Sequence, residues 1–160
     1  MRERSDSESS LLVKRVRVPI APEAAFELFT RGLARWWPLA THSIGEAAAL
    51  DCRMEERAGG QIVELDQDGS RHVWGTIRDW QPPARLFFTW HPGRTPDTAQ
   101  TIEVRFAAAD DGGTMVTLEH DGWDDYGAGA VDMRDRYDSG WNFVLGERFS
   151  DAARQFRSFR

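Results

Sequence analysis

Seven short stretches of the chain alternate between apolar and polar residues, which is the period of a β-strand with one buried face. The first begins at Leu12 and places Val16 and Val18 on one face. Glycine, proline or aspartate residues that suit tight turns separate the later stretches. Connections this short join antiparallel neighbours, so the sequence predicts an antiparallel meander. The six later strands are predicted over residues 50–57, 60–66, 71–80, 85–91, 100–107 and 114–120.

Helical spacing of apolar residues appears in three places. Pro22 opens a predicted helix with the sequence PEAAFELFTRGL, because proline is well tolerated in the first helical turn. A second, short helix is predicted around LARWWPL and ends at Pro38. The longest helix is predicted from Ser139 to about Arg157, with Asp138 or Ser139 capping its start. Its apolar stripe consists of Trp141, Val144, Leu145, Phe149, Ala152 and Phe156.

This order of elements predicts an α+β fold. A curved antiparallel sheet of about seven strands has one apolar face to cover, and the long C-terminal helix covers it. Two short helices follow the first strand. Because the sheet is expected to curve strongly, we expect a cavity between its concave face and the C-terminal helix.

Length and composition indicate one domain. The chain has 160 residues, so residues 11–160 are expected to share one core, and the polar segment 1–10 is expected to be a disordered tail. The net charge of -6 argues against a nucleic-acid surface. The single cysteine, Cys52, excludes an internal disulfide. The sequence has neither a signal peptide nor an apolar run of ~20 residues, which predicts a cytoplasmic protein without membrane insertion.

Residues 121–138 are rich in glycine and aspartate. Clustered aspartates repel one another and bury little apolar surface, so we predict a loop that is among the least ordered parts of the folded chain. Trp123, Tyr126 and Met133 are the apolar exceptions in this segment. They are candidates for a lid that folds over the cavity.

The residue types that usually carry catalysis or bind metals show no recognisable arrangement. The four histidines, His42, His72, His91 and His120, lack the i, i+4 or HExxH spacing of a metal site. A GxSxG motif and a glycine-rich phosphate loop are absent as well. The sequence therefore predicts no bound metal, no cofactor and no assigned catalytic residue.

Several polar side chains lie near the ends of predicted strands, where they could meet at the cavity. His91 and the pair Glu119 and His120 end two predicted strands, so they either form a polar cluster at the mouth of the cavity or are solvated separately. Glu64, Glu103 and Glu119 are the candidate acids for proton transfer inside a cavity. Strand alternation alone does not decide which face of the sheet each of them occupies.

The aromatic residues carry a more specific signal. Seven tryptophans in 160 residues exceed what the core of a small domain needs. An indole ring combines a large apolar face with one N–H donor, which suits a wall that contacts and orients a small hydrophobic molecule. For any single tryptophan, packing in the core is the alternative interpretation. The candidate ligand-binding residues are Trp36, Trp37, Trp74, Phe88, Trp90, His120, Trp141 and Leu145.

Seven segments form an ordered set along the chain: VPIAPEAAFELFT, WWP, GGQIVE, VWGTIRDWQPPARLFFTW, TIEVRF, GGTMVTLEHDGW and SGWNFVLGERF. Together they resemble the SRPBCC superfamily, whose folds are START-like and birch-pollen-allergen-like. The sequence is most similar to the branch of the activator of heat-shock-protein-90 ATPase homologues. The resemblance implies a helix-grip fold, in which a curved sheet wraps around the C-terminal helix. It does not select one function, because this fold serves lipid carriers, hormone receptors and polyketide cyclases.

Three functions fit these observations. The first is binding of a small hydrophobic molecule, aromatic or lipid-like, in a cavity beneath the C-terminal helix. The second is a cyclase or dehydratase that uses one or two acids or histidines of the cavity as general acid and base. The third is a stress-related protein-interaction module that uses the acidic segment 121–138, and a homodimer is compatible with it.

Overall fold

The fold combines seven β-strands with two short helices and one long C-terminal helix. The computed structural model describes residues 11–123 and 128–156. The strands are β1 (Leu12–Val18), β2 (Ala49–Met54), β3 (Gln61–Asp66), β4 (Arg71–Gln81), β5 (Arg85–Trp90), β6 (Gln100–Ala108) and β7 (Thr114–Asp121). The helices between β1 and β2 are α1 (Pro22–Thr30) and α2 (Leu33–Trp36), and a 3-10 turn (Glu46–Ala48) precedes β2.

All seven strands belong to one antiparallel sheet with the order β1-β7-β6-β5-β4-β3-β2. The strands from β2 to β7 are sequential neighbours, as their short connections require, and β1 closes the order by pairing with β7. Alternation along each strand places apolar side chains on the concave face, as Ile102, Val104 and Phe106 of β6 show. The sheet curls into a half-barrel around the C-terminal helix, so the predicted α+β helix-grip architecture is confirmed.

The C-terminal helix begins at Ala130 rather than at Ser139. It consists of α3 (Ala130–Phe143), a π-helical turn (Val144–Phe149) and α4 (Ser150–Gln155), which run on without a break. The segment predicted as an acidic loop is therefore helical over its second half. Contacts with β1 and its start compensate for the repulsion between aspartates, because Lys14 pairs with Asp138 and the Arg134 side chain donates to the carbonyl of Leu11 at 3.3 Å.

The π-helical turn shifts the buried stripe of the C-terminal helix by one position. Trp141, Leu145 and Phe149 are buried as predicted, but Ala153 is fully buried and Ala152 is only half-buried. A π-helical turn closes its hydrogen bonds over five residues instead of four. The buried face therefore continues one residue later than a regular 3.6-residue period indicates.

Some predictions fall partly or wholly outside the described residues. These are the tail at residues 1–10, the lid residue Tyr126 and the helix end at Arg157. Of the other two lid candidates, Trp123 is buried and Met133 is half-buried against the core. Within the part of the chain that the structure describes, no helix is both long and apolar enough to cross a membrane.

Candidate ligand-binding site

Aromatic side chains fill the space between the sheet and the C-terminal helix. The ring centroids of Trp36 and Phe149 lie 5.0 Å apart, and Phe29 lies within 5.6 Å of both rings. The void left beside them measures about 10 Å³, close to the space that one water molecule needs. The large side chains that were expected to line a deep cavity occupy that space themselves.

The eight predicted ligand-binding residues divide into two groups. Five are packed in the core, away from the cleft that the other three line: Trp36, Phe88, His120, Trp141 and Leu145. This cleft lies at the edge of the core and is lined by Trp37, Trp74 and Trp90. The structure therefore brings three of the predicted residues together at the cleft, where Trp37 is half-buried and Trp74 and Trp90 are only 1% and 3% exposed.

This cleft has a volume of about 260 Å³ and lies where the start of β4, the end of β5 and α3 approach the segment that follows α2. We call it the tryptophan cleft. Its walls are formed by Trp37, Thr41, His42, Ser43, Ile44, Trp74, Trp90, Pro92 and Tyr137. It combines an aromatic wall with hydroxyl and imidazole groups, which is the usual composition of a small-molecule site.

Three indole rings form the aromatic wall of the tryptophan cleft. The centroid of Trp37 lies 5.3 Å from that of Trp74 and 5.7 Å from that of Trp90, and Trp74 and Trp90 are 5.6 Å apart. The planes are inclined to one another by 44° to 69°, within the range that aromatic pairs prefer. Their mutual packing fixes the wall, because rotation of any ring would collide with the other two.

The N–H groups of these three indole rings are all satisfied within the protein. Trp37 donates to the carbonyl of His42 at 2.7 Å, and Trp74 donates to the Glu64 carboxylate at 3.0 Å. Trp90 donates to the phenol oxygen of Tyr137 at 3.1 Å. None of these three N–H groups is left to orient a ligand, whereas the sequence suggested that they would.

Glu64 holds the loop that forms the opposite wall of the cleft. Its carboxylate oxygens accept hydrogen bonds from the backbone N–H groups of Ile44 at 2.8 Å and Gly45 at 2.7 Å. Burial alone would raise the pKa of Glu64, but hydrogen bonds from Asp66, the two loop amides and the Trp74 indole outweigh burial and lower it. Glu64 thus connects the loop wall to the tryptophan wall.

His120 supports the cleft from inside the core. Its Nδ1 accepts a hydrogen bond from the Trp141 indole at 3.0 Å, which places the proton of the neutral ring on Nε2, 3.3 Å from the side-chain oxygen of Gln100. Burial, together with the charge of Arg94, lowers the pKa of His120 to about 3. His120 is therefore neutral at physiological pH, and both of its ring nitrogens are engaged.

The strand-end residues do not form the polar cluster that was considered from the sequence. Glu119 lies on the convex face and pairs with Arg105 at 2.9 Å, whereas His120 points into the core. Glu103 likewise pairs with Arg85 and Arg105. Of the three candidate acids, only Glu64 lies beside the cleft.

The sequence did not single out the loop residues 41–44, Pro92 or Tyr137 as parts of a site. The loop reaches the cleft through its hydrogen bonds to Glu64, a tertiary contact with no local signature. Tyr137 lay in the segment predicted as a loop, although it is on α3. The helical spacing of Tyr137 and Trp141, four positions apart, was the sequence signal that could have placed Tyr137 on this helix.

Comparison with known proteins identifies the family of this chain. The sequence matches the family described as "Activator of Hsp90 ATPase homolog 1-like protein" over residues 19–153. A search of curated protein sequences gave no significant match.

Solved structures with the same fold include one that is similar in sequence as well. The anthrahydroquino-gamma-pyrone synthase Txn09 is 35% identical, with a TM-score of 0.61 over 88% of this chain and 95% of that protein. The Aha1 dimer from Colwellia psychrerythraea is 17% identical, with a TM-score of 0.67 over 90% and 96% of the two chains. CalU16 from Micromonospora echinospora is 21% identical, with a TM-score of 0.63 over 92% and 76%. This chain therefore belongs to the family of Activator of Hsp90 ATPase homolog 1-like proteins.

Proposed function

We propose that the protein binds a flat, oxygen-bearing aromatic molecule of the polyketide type in the tryptophan cleft. The observation that carries this proposal is the wall formed by Trp37, Trp74 and Trp90, whose N–H groups are satisfied and whose ring faces are apolar. A planar ring system suits such a wall, because it can stack on the half-buried Trp37 ring and meet the edges of its neighbours. A flexible fatty acid would lose more conformational freedom for the same contact.

Polar groups in the cleft suit a ligand with hydroxyl or carbonyl substituents. Thr41, His42 and Tyr137 lie along its walls, and the Thr41 hydroxyl hydrogen-bonds to Nδ1 of His42 at 2.8 Å. The volume of about 260 Å³ is close to the lower end of small-molecule sites, near 300 Å³. Such a site can reach micromolar affinity, about −8 kcal/mol, without any covalent step.

The similarity to Txn09 supports the choice of ligand class. That protein is named as an anthrahydroquino-gamma-pyrone synthase, and the similarity covers 88% of this chain at 35% identity. A protein that shares this much sequence and the same architecture is expected to present its cleft to a molecule of related shape. The likeness to the other structures, below 25% identity, concerns the fold alone.

Ring closure on the bound molecule is a second candidate function, favoured by the positions of His42 and Tyr137. An imidazole and a phenol on the walls of one cleft can remove and return protons. In the reaction class considered, a phenol hydroxyl adds to the carbonyl of an aryl β-diketone side chain, and loss of one water gives a γ-pyrone. His120 is excluded from this role, because its two ring nitrogens are already engaged inside the core.

Tryptophan fluorescence tests the binding proposal. We expect hydroxylated anthraquinones to quench emission with saturation, and fatty acids to leave it unchanged. Trp37→Phe should weaken binding, because Trp37 is a half-buried cleft residue. Trp80→Phe is the matched control, because Trp80 is also half-buried but lines a separate groove beside α1. Equal affinities of the two variants, or quenching that never saturates, would contradict the proposal.

Catalysis is tested separately by product analysis. The protein is incubated with a 2-hydroxyaryl β-diketone, and mass spectrometry follows the loss of one water that accompanies ring closure. We expect Tyr137→Phe and His42→Ala to slow any ring closure while still quenching with the product. Binding without turnover would leave the protein as a carrier of such molecules and exclude the second candidate function.

A further inference from the structure

Three potential metal ligands lie together at the end of the β3–β4 hairpin. Glu64 and Asp66 are two positions apart on β3, so alternation places them on the same face of the sheet. His72 of β4 lies opposite Glu64 in the antiparallel register and shares that face. One donor atom from each residue lies within 4.8 Å of the other two, and Nε2 of His72 is 3.1 Å from Oδ2 of Asp66.

The negative charge of this group is balanced only in part, because His72 is the one basic side chain paired with it among the described residues. Glu64 is fully buried and the side chain of Asp66 is 9% exposed. Within residues 11–123 and 128–156, neither carboxylate forms an ion pair with a lysine or arginine. Burying carboxylates costs several kcal/mol unless a partner compensates the charge. His72 and the N–H donors to Glu64 compensate part of this charge, and a cation bound between the two carboxylates would compensate the rest.

One carboxylate oxygen is also left without a donor. Oδ1 of Asp66 is buried and accepts no hydrogen bond from the residues that the structure describes. Buried polar atoms without a partner are rare in folded proteins, and an ordered water or ion commonly satisfies such an atom. This atom is a second, independent sign of a ligand at the hairpin.

A divalent cation held by both carboxylates would compensate their charge at once.

We propose that Glu64, Asp66 and His72 form a binding site for a divalent transition-metal ion such as Zn²⁺. Imidazole nitrogen and carboxylate oxygen are ordinary ligands of zinc, each at about 2.0–2.2 Å from the ion. Two ligands at that distance and at a tetrahedral or right angle are about 3.0–3.5 Å apart, which agrees with the separation between His72 and Asp66. His72 also lines a surface groove together with His91 and Arg94, and a water molecule on that side would be the fourth ligand.

The site is adjacent to the tryptophan cleft but does not depend on the ligand proposed for it. Oε1 of Glu64 accepts hydrogen bonds from the Ile44 amide and the Trp74 indole, so a metal on Glu64 changes the surroundings of both walls. Metal binding should therefore alter the emission of Trp74 even without an aromatic ligand.

The test is a titration of the full chain, freed of metal with a chelator, with ZnCl₂ followed by calorimetry and with CoCl₂ followed by visible absorption. We expect one ion per chain, and cobalt bands typical of a low coordination number. Asp66→Asn and His72→Ala should each weaken Zn²⁺ binding by about tenfold or more. Asp68→Asn is the matched control, because Asp68 is an exposed carboxylate of the same hairpin.

Two outcomes would overturn the proposal. One is the absence of saturable one-to-one binding by either metal. The other is binding that Asp66→Asn and His72→Ala leave as tight as Asp68→Asn does. Asp66→Asn preserves the shape of the side chain, so circular dichroism of this variant separates loss of the site from loss of the fold.

Discussion

The Trp90 indole donates a 3.1 Å hydrogen bond to the phenol oxygen of Tyr137, although the two residues are 47 positions apart in the chain. Trp90 ends β5 and Tyr137 lies on α3, so this contact joins the sheet to the C-terminal helix. Both rings line the tryptophan cleft. This hydrogen bond therefore helps to fix the position of the two rings at that corner of the cleft.

Replacing Tyr137 with phenylalanine keeps the ring and removes the acceptor of the Trp90 N–H. We expect the free energy of unfolding to fall by about 1–2 kcal/mol, because a largely buried donor loses its partner. Urea denaturation measures this change. A double-mutant cycle with Trp90→Phe isolates the pair, and a coupling energy near zero would show that the hydrogen bond contributes nothing to stability.

Phe149 is the second test of packing, because its side chain is fully buried at the centre of the aromatic core. Phe149→Ala should lower the free energy of unfolding by about 3–5 kcal/mol through lost burial and the cavity it leaves. Phe143→Ala on the same helix is the control, because Phe143 is 37% exposed. A loss below about 1 kcal/mol for Phe149→Ala would mean that this face of the helix does not pack on the sheet.

Much of the fold could be predicted because its signals are local. The strands follow from alternation and the turns from glycine and proline, so β3, β5 and β7 begin and end within one residue of their predicted limits. The start of the C-terminal helix could not be predicted in the same way. Residues 130–138 are rich in aspartate, and their helix depends on distant partners such as Lys14 and the Leu11 carbonyl.

The site was only partly predictable, since residue type does not determine how much space side chains leave. Trp36 and Trp37 are adjacent and chemically identical, yet Trp36 packs against Phe29 and Phe149 in the core while Trp37 lines the cleft. The difference arises from the direction of each side chain at the end of α2. The buried position of Glu64 could not be predicted from strand alternation alone. The β3–β4 register shifts at a bulge between Ile62 and Val63, and the sequence carries no sign of that bulge.

Two glycines give opposite predictions when changed to alanine. A Cβ atom on Gly75 would lie 1.8 Å from the carbonyl oxygen of Thr89, a backbone atom that cannot move without disturbing the β4–β5 pairing. Gly75→Ala should therefore lower the free energy of unfolding by about 2–3 kcal/mol or more.

Gly140 lies within α3 with open space around its Cβ position, so Gly140→Ala should stabilise the protein by about 0.5–1 kcal/mol. Thermal melts of both variants check the two signs.

The last prediction concerns the dependence of stability on pH through His120. Its pKa is lowered from 6.5 to about 3 by burial and by the charge of Arg94, so the folded protein binds this proton more weakly than the unfolded chain does. Folding is therefore favoured by the neutral ring, and its contribution is complete above about pH 6.5 and is lost as the pH falls towards 3. Between pH 7 and pH 4 the loss should be on the order of 3 kcal/mol.

His120→Asn isolates this contribution from that of the carboxylates. An asparagine side-chain oxygen can still accept the hydrogen bond from the Trp141 indole, but the residue does not titrate. We expect the variant to be less stable than the wild type at pH 7 and to lose less stability on acidification, so that the two curves of unfolding free energy converge towards pH 4. Parallel curves would show that the folded protein binds the His120 proton as readily as the unfolded chain, and that the ring is not held neutral by its burial beside Trp141 and Gln100.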